Sequence, residues 1–87
     1  MSFKLENWRE SGQDRHFELL AENYLFCRFT EVGKDETIGW CKWNRNSNGR
    51  WNVLDSSRGN GEAIARENFG NLLDDIHLKL IAEKELL

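Results

Sequence analysis

The chain has 87 residues, 39% of them hydrophobic, with four tryptophans, no proline and a formal net charge of −3. That length holds one domain, residues 1–87, near the lower limit for a self-sufficient core, and that composition excludes a disordered chain. No apolar run approaches the ~20 residues of a membrane span, and "MSFKLENWRE" carries charges where a signal peptide is apolar, so no membrane partner and a cytoplasmic location are expected.

In chain order, "SFKLE" alternates apolar and polar residues and predicts a short edge strand. "SGQDRHFELLAEN" predicts a short helix: Ser11 supplies a cap, Asp14 follows three residues later, and Phe17, Leu20 and Ala21 share a face. A strand over His16 to Leu20 is the competing reading of residues 14–22. "YLFCRFTEV" is aromatic and β-branched with two-residue alternation, a clear strand; "GKDE" turns it, and "TIGWCKW" and "RWNVLD" follow as strands. Asn48-Gly49 marks the turn between the last two, and a loop over Arg45–Gly49 sets Trp43 opposite Trp51. "SSRGNG" then leads into a long helix from Glu62 to about Leu86, with Asn60 as its cap. The expected fold class is therefore α+β: a small antiparallel meander of three to four strands packed on a long C-terminal helix, with a short N-terminal helix.

Two surfaces in this scheme are apolar without an obvious cover. On the sheet, Leu25, Cys27 and Phe29 point one way, while Tyr24, Phe26 and Val32 point the other; Ile38 and Trp40 likewise oppose Cys41 and Trp43. On the helix, Phe69, Leu72, Leu73, Ile76, Leu80 and Leu87 form a core stripe, yet Leu78, Ile81 and Ala82 lie opposite, with Ile64. A binding protein is expected, meeting a protein partner through Leu78, Ile81, Ala82 and Trp40. A homodimer is the simplest case, because a self-complementary patch closes by two-fold symmetry. In size and composition the chain resembles small adaptors and inhibitors, often encoded by phages and mobile elements.

Charge suggests an alternative. Between Ile38 and Arg58 the basic residues Lys42, Arg45, Arg50 and Arg58 stand against Asp55 alone. With Trp40 beside them, they fit single-stranded nucleic acid, aromatic rings stacking bases and cations holding phosphates. A small-molecule site between sheet and helix is a third reading. Parity within the hairpin makes Trp43 and Trp51 structural and Trp40 the exposed or partner-facing residue.

Motifs for chemistry are sparse, and neither an enzyme nor a cofactor is expected. "SSRGNG" lacks the Walker and GxGxxG patterns and reads as a capped loop. Asp74 and His77 stand at helical i, i+3 spacing, which is two ligands and not a metal site. Cys27 and Cys41 form no CxxC pattern and read as half-buried thiols in a reducing compartment; their sequence positions leave their mutual distance open.

The order helix, three strands, helix resembles the double-stranded-RNA-binding domain. That family begins its last helix with lysines, whereas "NGEAIARENFG" has Arg66 as its only basic residue. Parsed as four strands and a helix, the chain resembles certain single-strand-binding proteins in topology alone.

Overall fold

The computed structural model describes residues 3–10 and 13–86, with side chains placed over 14–85. Five strands, β1 (Phe3–Glu10), β2 (Gln13–Ala21), β3 (Tyr24–Glu31), β4 (Thr37–Arg45) and β5 (Trp51–Ser56), form one antiparallel sheet in sequential order. Two helices follow, α1 (Gly61–Phe69) and α2 (Leu73–Leu86). The α+β class and the antiparallel meander are as expected, with five strands in place of three or four, and the edge strand at "SFKLE" is present as β1.

Three details differ from the expectation. The segment expected as an N-terminal helix is strand β2, whose Phe17 and Leu19 pair with Cys27 and Leu25 and are buried beside them. The helical pattern of Phe17, Leu20 and Ala21 loses to the two-residue period of Arg15, Phe17 and Leu19, all buried on one sheet face. Asp14 accordingly sits in the ladder opposite Thr30, not in a cap; Ser11 lies outside the described residues.

The long C-terminal helix is two helices. A straight helix over Glu62 to Leu86 would measure ~38 Å at 1.5 Å per residue, longer than the 32 Å extent of the molecule. The chain breaks at Gly70–Asn71, two poor helix formers. There the Leu72 N–H donates to the Phe69 carbonyl at 2.8 Å, a tightened i→i+3 bond, before the ladder resumes with Ile76 on Leu72. The break lets α1 pack on β4 and β5 while α2 crosses to β1 and β2.

The hairpin register differs by two residues. Trp43 pairs with Val53 and Arg45 with Trp51, because the loop spans 46–50 and the Asn46 N–H closes on the Arg50 carbonyl at 2.9 Å. A shift of two preserves the faces, so Trp43 and Trp51 still share one. Trp43 is 2% exposed, whereas Trp51 is half-buried at the margin of the core.

Both helices lie on a single face. Phe17, Leu19, Leu25, Cys27, Phe29, Cys41 and Trp43 from the sheet merge with Ala65, Phe69, Leu73, Ile76 and Leu80 from the helices. Phe69 is central, edge-on to Phe17 with ring centroids 5.2 Å apart and 4.7 Å beneath the buried guanidinium of Arg15. The predicted core stripe is thereby met except for Leu87, which lies outside the described residues, and Leu72, which is half-buried.

One contact seats α1. The Ser57 hydroxyl accepts from the Trp40 N–H at 3.0 Å and donates to the Trp40 carbonyl at 3.3 Å. This brings the start of α1 so close to β4 that a Cβ on Gly61 would lie 2.7 Å from the Trp40 carbonyl oxygen and closer still to Ser57 Oγ. Gly61→Ala should therefore cost about 1–3 kcal/mol as overpacking, and Trp43→Ala about 3–5 kcal/mol as a cavity. Denaturant melts check both; a Gly61→Ala chain as stable as the unaltered one would contradict this seating of α1.

Candidate interaction surface

The face opposite the helices is built by alternation along the same strands. Cross-strand pairing places two rows side by side on it. One is His16–Arg28–Trp40; the next is Lys4–Glu18–Phe26–Lys42–Asp55. Phe26 and Trp40 are diagonal neighbours with centroids 6.0 Å apart, the geometry of an aromatic cross-strand pair. Both are half-buried, as are Leu20 and Lys42. Apolar side chains extend the patch at its edges, with Tyr24 42% exposed, Ile38 43% and Leu54 48%. No described element packs over this face.

Charge on the face alternates. Glu18 and Lys42 flank Phe26 from the two neighbouring strands, and Arg28 flanks Trp40. Glu18 and Lys42 are two strand spacings apart, roughly 10 Å, too far to pair within one chain. Among the described residues, Glu18, Arg28 and Lys42 form no ion pair or side-chain hydrogen bond.

The helical patch is smaller than its sequence suggests. Leu78 is 63% exposed and Ala82 is exposed, but Ile81 packs against the core, as does Ile64. Ile81 also lines, with Leu19, Glu22 and Lys84, a shallow cleft of about 220 Å³. Two of the four residues expected to meet a partner thus stand open on α2, and Trp40 stands half-open on the sheet.

The basic residues of the hairpin are not gathered on one surface. Lys42 lies beside Trp40's row on the open face, whereas Arg45 lies on the helix-bearing face. Its guanidinium sits 5.9 Å from the Trp51 ring and 3.8 Å from Asp74, and its Nε donates to the Gly49 carbonyl at 3.4 Å. Arg50 is exposed in the β4–β5 loop, and Arg58 is exposed in the loop before α1. The "SSRGNG" loop is occupied by structure: Ser57 is bonded to Trp40, and Asn60 caps through its backbone, its carbonyl accepting from Ile64 at 2.8 Å with no side-chain cap bond.

Asp74 and His77 converge on Trp51, which sequence spacing could not reveal. The indole Nε1 donates to Asp74 Oδ1 at 2.8 Å, and the ring meets His77 edge-on at 5.2 Å. His77 is 5% exposed and bonds through Nε2 to the Glu22 carbonyl. These contacts fasten the hairpin and the β2–β3 turn to the start of α2. Among the described residues no group of three or more potential metal ligands occurs. Beside Trp51 a groove of about 340 Å³ opens, lined by Trp43, Arg50, Arg66, Leu73 and Asp74. This is where the structure places the space between sheet and helix; Arg66 there is bound to Glu62 at 2.9 Å.

Cys27 and Cys41 are direct cross-strand partners, both fully buried as free thiols. Burial pushes both thiols up, Cys27 well above its ordinary range despite the nearby Arg15 charge, and Cys41 from 9.0 to about 11, with Glu62 adding to the rise. Such thiols are poor nucleophiles at neutral pH.

Comparison of the chain with protein-family models, with curated proteins and with solved structures gives no match. Among the described residues no helix is long and apolar enough to cross a membrane.

A thiol pKa raised in the folded state contributes stability that is complete below pH 9 and is lost as pH rises toward the folded value near 11. Alkaline melts should accordingly show falling stability from about pH 9, and Cys41→Ser should flatten that fall. A thiol reagent at pH 8 should modify Cys27 and Cys41 only on unfolding; rapid reaction of the folded chain would contradict their burial.

Proposed function

We propose that this chain is a non-enzymatic protein-interaction module whose contact surface is the open sheet face around Phe26 and Trp40. The observation that carries this reading is an aromatic pair, half-exposed at the centre of a face that no described element covers, beside charges that form no ion pair among the described residues. Interface cores are enriched in aromatic residues, and tryptophan is prominent among the residues that dominate binding energy. Leu78 and Ala82 on α2 offer a second, smaller contact.

Single-stranded nucleic acid is favoured less. Its expected residues are dispersed over the open face, the helix-bearing face and two loops, and Arg45 is already bound to Asp74 and Trp51. On the open face, Asp14, Glu18 and Asp55 alternate with the cations. A polyanion meets a uniform basic track better than this mixed pattern. The groove beside Trp51 supports the small-molecule reading only by its volume.

An immobilised chain should retain a protein from its source cells, a second copy included, that an immobilised Trp40→Asp chain releases. The variant should keep its melting behaviour, since Trp40 stands outside the core. Equal retention by both would place the contact elsewhere and contradict the reading.

A further inference from the structure

We infer that the open face docks on a second copy of this chain, sheet to sheet, about a two-fold axis that crosses the strands between the rows His16–Arg28–Trp40 and Glu18–Phe26–Lys42. The inference rests on the open face being the contact surface, and it names the partner.

The argument is charge complementarity. The axis passes above the row Phe17–Cys27–Cys41, which lies between those two rows in the register and points into the core. Rotation about it exchanges the rows strand by strand. Arg28 then faces the partner's Phe26, Trp40 faces the partner's Lys42, and His16 faces the partner's Glu18. Each cation meets a ring face, a favourable pairing that strengthens when water is excluded. Glu18, Arg28 and Lys42, which form no ion pair among the described residues, all acquire partners, and no like charges are opposed in these two rows on β2, β3 and β4. Other two-folds do less well: an axis running along β3 sets Arg28 against the partner's Arg28. Sheets packed face to face lie about 10 Å apart, a gap that arginine, lysine and tryptophan side chains span. Two-fold closure also covers the open face of both copies in one interface.

A complementation experiment tests the geometry. Trp40→Lys sets a lysine against the partner's Lys42, and Lys42→Glu removes the cation from the partner's Trp40. Combined, they place the new lysine opposite the new glutamate and keep one native Lys42–Trp40 contact. Light scattering on the full chain should give double the 10.2 kDa of one chain, single mass for each variant alone, and double mass again for their equimolar mixture. An unaltered chain at single mass at every concentration overturns the second copy as occupant, and the retention assay then decides the interaction reading by itself. Variants and mixture all at single mass overturn this axis while leaving the open face as the contact. Doubled mass in both lone variants overturns both, since association then uses another surface. If Trp40→Lys fails to fold, Arg28→Glu and Phe26→Lys apply the same test one strand over.

Discussion

Two helices cover one face of this five-stranded sheet, and the rest of the molecule follows from that constraint. Burying a large apolar side chain contributes about 1.5–3 kcal/mol, and the helix-bearing face collects nearly all of that gain in one cluster around Phe69. Phe26 and Trp40 receive it only in part, because they lie on the opposite face, half-buried, with their ring centroids 6.0 Å apart. A small domain has little stability to spare. In such a domain the half-hydrated pair Phe26–Trp40 is apolar area that the internal core does not use.

What keeps the helices on one side is local and specific. Ser57 bridges the Trp40 backbone, and Gly61 lets α1 begin against β4. Gly70 and Asn71 then turn the chain so that α2 crosses to the first strands. Trp51 fixes the new direction through Asp74 and His77. Asp74 stands in the first turn of α2, where a carboxylate is favoured by the helix dipole. The residues most suggestive of a metal or a ligand are thus engaged in joining hairpin to helix. Trp40 serves both faces, its backbone seating α1 and its side chain lying on the opposite surface.

Alternation made β3, β4 and β5 legible in the sequence, together with the core face Leu25, Cys27, Phe29, Cys41 and Trp43. The helical stripe from Phe69 to Leu80 was equally legible, because periodicity reports burial directly. Strand β2 is ambiguous in the sequence because "HFELLA" satisfies both periods over so short a span, and only pairing with β3 decides between them. The helix break was signalled by Gly70-Asn71 but outweighed by the apolar stripe running through it. Parity placed the three hairpin tryptophans correctly as to face, while the partners of Trp51 are tertiary and left no trace in spacing. The open face itself was visible as surplus apolar residues; its rows of alternating charge required the β2–β3–β4 register.

The tryptophan indole N–H resonances in a dilution series offer the most direct measurement of the central claim. Trp40 stands on the open face, Trp43 is buried in the core, and Trp51 is tied to Asp74. The Trp40 signal should move with concentration together with the amides of Phe26, Arg28 and Lys42, while Trp43 stays fixed. A Trp40 signal independent of concentration, with changes instead around Leu78, would show that the open sheet face is not where this chain meets its own kind.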